Sequence, residues 1–266
     1  MSTVVSSLPH ASPSLLKDVV LPKEHGSWSL ALEPIALGLL IAPSFEGGLL
    51  AMACVSGFFA RRPLRIAFVE TRIERRAFAI NALACCAFTA AVSVSAIVLM
   101  SGVAWLSWLA PAAIAGAIFA HFDRNGEGRA EAAEIAGSAA FAMVPAVIGI
   151  LGGLDAGSAV CLSLLALGRS VPSVLCVRAF LRGRKTGVHA NGLALIAAGV
   201  AAAVASVLYG RGYAPLFTLV CMGVFAARTF ALLSVFQPPW RARTIGMIEA
   251  VLGLVFVVGS AVTWGR

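Results

Sequence analysis

Apolar residues fall in long runs along this chain, separated by short clusters of charge, Gly and Pro. A helix needs roughly 20 mainly apolar residues to cross a bilayer. On that measure the runs predict nine spans, near residues 28–44, 47–60, 77–100, 103–120, 134–152, 155–177, 190–209, 213–236 and 246–264. The second is short alone and is expected to extend through Arg61 and Arg62 to the interface. Pro34, Pro145 and Pro172 lie inside runs and predict kinks, which a bundle tolerates because neighbouring groups satisfy the freed backbone. The expected fold is an all-α polytopic membrane protein of about nine helices, a single domain over residues 23–266. Residues 1–22 carry Ser and Pro without a long apolar stretch, and read as a disordered or interfacial tail with no signal-peptide pattern.

Composition agrees. Of 266 residues 60% are apolar and 12% charged, whereas a soluble domain is nearer a quarter charged. A soluble enzyme, a disordered chain and a secreted disulfide scaffold are excluded. Cys54, Cys85, Cys86, Cys161, Cys176 and Cys221 sit inside apolar runs without zinc or haem spacing, and read as small core residues.

The polar loops follow spans two, four, six and eight. With the tail and the adjoining half-spans, they collect 18 of the 20 Lys/Arg, leaving Arg211 and Arg266 opposite. By the positive-inside rule, the N-terminus and these loops are expected in the cytoplasm and the C-terminus outside. Termini on opposite sides require an odd number of spans. The net charge of +8 then needs no nucleic acid: arginines beside spans meet anionic headgroups. Membrane lipids are the expected partners, no cofactor is expected, and the oligomeric state stays open.

Four clusters carry candidate chemistry. Lys23, Glu24 and His25 stand at the membrane entrance, ahead of Glu33 in the first run. A carboxylate within a span is costly and normally faces a bundle or a wet cavity. His25 and Glu24 can exchange protons or hold a headgroup, or with Trp28 simply anchor the interface. Second come Arg61, Arg62 and Arg65, then Glu70 and Glu74, expected on one helix face as weak candidates for a magnesium ion or as partners of nearby arginines. Third is Arg169 through Ser173 to Arg178. Helical rise puts Arg169 about 13 Å from Arg178, inside the bilayer, where it needs a partner such as Glu33, Glu134 or Glu249. Fourth, Glu127, Glu131 and Glu134 follow i, i+4, i+7 near His121 and Asp123, either as a metal stripe or as an acidic face closing on the basic loops. Nucleotide-binding, zinc-protease and serine-hydrolase motifs do not occur.

The segments PKEHGSWSLALEPIALGLL, ARRPL, RSVPSVLCVR and RTIGMIEAVLG together resemble the YwiC-like family of bacterial integral membrane proteins. That resemblance implies a bacterial inner-membrane location and no known reaction. The nine-helix pattern, with polar loops after even-numbered spans, is more weakly similar to the UbiA superfamily of intramembrane prenyltransferases. Those enzymes hold two magnesium ions on aspartate-rich motifs after spans two and six, and here neither place contains Asp. Magnesium-dependent prenyl transfer is therefore disfavoured, while a UbiA-like bundle stays an expectation.

Two main readings of function follow. Arg61, Arg62, Arg65, Arg169 and Arg178, with Lys23, Glu24, His25 and Ser173, would bind or transfer an anionic lipid, planar guanidinium suiting phosphate oxygens; His25, Glu33 and Glu249 would be its acid/base candidates. Alternatively Glu33, Arg169 and Glu249 form a relay in a small proton-coupled permease. A noncatalytic subunit or assembly factor is a third possibility.

Overall fold

A computed structural model describes residues 19–20, 25–187, 191–235, 240 and 242–265. Among them are ten α-helices and no strand: α1 (His25–Ile41), α2 (Phe45–Val69), α3 (Ile73–Ser101), α4 (Ala110–Arg124), α5 (Glu131–Ala142), α6 (Val144–Leu151), α7 (Ala156–Thr186), α8 (Gly192–Gly210), α9 (Leu216–Phe230) and α10 (Ala242–Thr263). A 3₁₀ turn, Ala104–Leu109, leads into α4, and a π-helical turn, Ala231–Val235, prolongs α9.

α5 and α6 form one apolar rod, Glu131–Leu151, interrupted at Met143. Counted so, a helical rod stands at each of the nine predicted runs. Seven rods are long and apolar enough to cross a membrane, which makes the chain a multi-pass integral membrane protein. The other two fall short for different reasons: α1 has only 17 residues, and the 25 of α2 include Arg61, Arg62 and Arg65.

Helices outrun the apolar runs. The charged stretch after span two, expected as a loop, is mostly helix: α2 continues through Pro63 to Val69, and only Glu70–Arg72 separate it from α3. The stretch after span six is likewise helical through Pro172 to Thr186. Charge marks the membrane edge and says nothing about where backbone hydrogen bonding stops. Of the three expected kinks only Pro145 coincides with a break. There the Ser163 hydroxyl accepts from the Ala146 N–H at 3.0 Å and donates to the Met143 carbonyl at 3.1 Å, satisfying groups that the interruption frees.

α7 is the axis of the molecule. Asp155 caps it by accepting from the Ser158 N–H at 3.1 Å, and Gly187 ends it at φ 70°, a left-handed conformation that costs glycine least. Its 31 residues span about 46 Å, so Arg182, Arg184 and Lys185 extend past an apolar core of about 30 Å. α7 packs against α5, α6, α8, α9, α10 and α1. Along it lie two apolar cores. One contains Leu162, Leu165 and Ala166 with Leu37 of α1 and Phe256 of α10; the other contains Leu175, Cys176 and Phe180 with Leu233 and Ile245. A third core joins α1, α2, α3 and α6 around Leu50, Ile97 and Ile148.

Candidate functional site

Between the two α7 cores the chain places charge. Arg169, thirteen residues into α7 and so about 20 Å along it, is 4% exposed. Its Nη1 donates to Ser173 Oγ at 2.6 Å and to Glu249 Oε2 at 3.0 Å, and its Nη2 donates to the Glu249 main-chain carbonyl at 2.7 Å. The same Nη2 faces Glu33 Oε2 at 3.5 Å. Ser173 also donates to Glu249 Oε2, and Arg228 Nη1 pairs with Glu249 Oε1. The Arg169 guanidinium lies over the Phe225 ring, 4.9 Å from its centroid, adding a cation–π contact.

Four helices supply this cluster, and local sequence explains each contribution. Ser29 stands one turn before Glu33 on α1 and hydrogen-bonds its carboxylate. Ser173 is one turn after Arg169 on α7, within reach of the guanidinium. Arg228, near the end of α9, meets Glu249, which lies about 10 Å into α10. Gly253, one turn further along α10, leaves the space that the Glu33 carboxylate fills; a Cβ there would overlap it. Two carboxylates face two guanidiniums, so the cluster is charge-balanced. No water-sized space remains in the gap that Glu33, Arg169 and Ser170 line with Leu37 and Phe256. Glu33 Oε1 is buried with no hydrogen-bond partner among the described residues.

Of the residues singled out in the sequence, Glu33, Arg169, Ser173 and Glu249 come together. Arg228 joins them, and its position inside an apolar run carries the same signal as that of Arg169. His25 opens α1, but its side chain, like Lys23 and Glu24, lies outside the described residues.

Arg61 and Arg178 pair elsewhere. Arg61 on α2 bridges to Asp123 on α4 at 3.0 Å and stacks 4.4 Å from the centroid of Phe119. Arg62 is half-buried and Arg65 exposed. Arg178 pairs with Glu134 at 2.6 Å and Arg182 with Glu131 at 2.8 Å, so these two acids close on the basic end of α7. Glu127 precedes α5, and the expected three-residue helical stripe is not formed. Glu70 and Glu74 do not share a helix face either. Glu70 ends α2 in extended backbone and pairs with Arg75 at 3.0 Å, while Glu74 lies in the first turn of α3. The antiparallel α2–α3 turn needs that non-helical link. Among the described residues, no three His, Cys, Asp or Glu side chains converge as metal ligands would.

No curated protein matches the sequence, and no solved structure matches the fold. Residues 21–149, from the entrance segment into α6 and so including Glu33 and Arg61, match the family model described as YwiC-like protein, the family that the entrance segment and ARRPL resemble.

Proposed function

We propose that this integral membrane protein is a small proton-coupled permease, captured closed, in which the Glu33–Arg169–Glu249–Arg228 cluster is the switch. The observation that carries this reading is a charge-balanced cluster buried within the bundle between apolar cores on both sides along α7. Intramembrane carboxylates and arginines of this kind mark ion and proton pathways. Glu33 is the residue suited to take the proton. It faces one guanidinium at 3.5 Å and one serine hydroxyl, whereas Glu249 meets two guanidiniums, of Arg169 and Arg228, together with Ser173. A proton on Glu33 would leave two guanidiniums facing one carboxylate. Like charges that were balanced would then repel, and the contact between α1 and α7 would weaken.

The orientation proposed is the one that the arginine distribution favours: four polar loops in the cytoplasm of a bacterial inner membrane and the C-terminus outside. An anionic-lipid site at the arginine-rich helix ends is the lesser reading. Arg61 and Arg178 already hold Asp123 and Glu134, and a phosphate would have to displace those carboxylates.

Proteoliposomes carrying an internal pH indicator test the proposal. Under an imposed pH gradient, with solute pools added outside, the protein should admit protons together with a solute. Glu33→Gln should slow that flux at least tenfold while the protein stays folded. Flux equal to that of empty liposomes with every pool, or an undiminished rate in Glu33→Gln, would overturn the reading.

A further inference from the structure

A cavity of about 120 Å³ lies where α7 ends, lined among the described residues by Ala179, Phe180 and Arg184 of α7, Asn191 ahead of α8, and Leu232 and Leu233 of the π turn. Its two ends differ in kind. Arg184 is exposed at the mouth, while Phe180, Leu232 and Leu233 are buried at the floor. Asn191 Nδ2 donates to the Leu233 carbonyl at 2.7 Å, holding a backbone group in the π turn; such turns recur at functional positions because they shift helical register. The Asn191 Oδ1 beside it is buried without a partner among the described residues. A water needs about 10–15 Å³ by this measure, so the cavity holds several, and an unmet amide oxygen is the kind of group that orders one.

The floor adjoins the charged cluster. Phe180 follows Cys176 by one helical turn, and Cys176 lies beside Arg228, the partner of Glu249. Leu232 likewise follows Arg228 by four residues. Along α9 only about 6 Å, the thickness of one apolar layer, separates Leu232 from Arg228; along α7 the nearest cluster residue, Ser173, is about 10 Å from Phe180.

We propose that this cavity is a water-filled vestibule, open on the side where α7 ends, that brings bulk water and its protons to within one helical turn of the Arg228–Glu249 end of the cluster. Its role as a proton route rests on the permease reading; its existence as a hydrated space does not. The layer of Cys176, Leu175 and Leu232 is then the gate on that side.

Accessibility of single cysteines tests it. In a background with Cys176 replaced by Val, to keep the gate layer filled, and the other five native cysteines by Ala, Ala179→Cys and Leu233→Cys probe the cavity, and Leu165→Cys probes the core beyond the cluster. A charged, membrane-impermeant methanethiosulfonate is added to sealed vesicles from one side at a time. Both cavity cysteines should react at least tenfold faster than Leu165→Cys, and only from the side of the α7 end. Asn191→Phe, which fills the space, should slow both by a similar factor. If either cavity variant fails to fold, the other reads the same space. Reaction no faster than at Leu165→Cys, or faster from the opposite side, would overturn the vestibule. Rapid labelling without proton flux would leave the vestibule standing and remove the permease, whereas proton flux without labelling would do the reverse.

Discussion

At the scale of single residues, the site depends on what α10 lacks as much as on what it carries. The Glu33 carboxylate occupies the place where a side chain at position 253 would begin. Gly253→Ala should therefore destabilise the protein by about 1–3 kcal/mol, the usual cost of overpacking. Glu33→Ala should remove most of that cost, so a double-mutant cycle of thermal stability in detergent would yield a coupling of the same size. Additive effects would mean that the two residues do not meet. Arg169→Met tests the opposite case, a missing charge. It leaves Glu33 and Glu249 to share Arg228, and breaking a buried network in this way costs about 3–5 kcal/mol. Arg169→Lys restores charge without the planar fork that spans Ser173, Glu249 and Glu33, so its stability should fall between the two.

Among the elements, α7 and the α5–α6 rod show how breaks and ends are held. Ser163→Ala strips the Ala146 N–H and the Met143 carbonyl of their shared partner, with an expected loss of about 1–3 kcal/mol for buried groups left unpaired. Asp155 caps α7 outside the spanning segment. Hydrogen bonds from the Ser158 side chain, and then from its backbone N–H, hold the Asp155 carboxyl below its ordinary 3.8. A depressed pKa stabilises above the unfolded value, and that contribution disappears as pH falls through the folded one. Asp155→Asn keeps an acceptor and cannot titrate. Melting curves of the two proteins should therefore run in parallel above about pH 5, with the wild type losing ground only below about pH 4; divergence near neutrality would contradict the cap. Much of this level was legible beforehand. Hydropathy located the rods, and the cost of an unpaired intramembrane charge pointed to Glu33, Arg169 and Glu249 before any contact was known. What stayed hidden was long-range or depended on missing atoms. Asp123 reaches Arg61 across 62 residues, Gly253 acts through the absence of a side chain, and Pro63 and Pro172 look like breaks but lie within continuous helix.

For the whole molecule, charge distribution and burial make separate statements. Assigning the tail, the four polar loops and the adjoining half-spans to one side places 18 of 20 Lys/Arg there, and on that assignment reporter fusions after Arg76 and Lys185 should read as cytoplasmic and one after Arg266 as external. A cytoplasmic signal at Arg266 would remove one crossing from the scheme. Burial is lopsided. The central span of α7 is 67% buried, whereas α3 is 11% buried and the span containing α4 has no buried residue. α3 leans chiefly on α2, and α4 on α5. In a single chain that flank is left to annular lipid, so delipidation should loosen it first. Amides of α3 and α4 would then exchange with deuterium in a thin detergent shell while those of α7 stay protected. Acyl-chain length, through the match between the 29 residues of α3 and bilayer thickness, would tune how firmly this flank is seated without any change in the sequence.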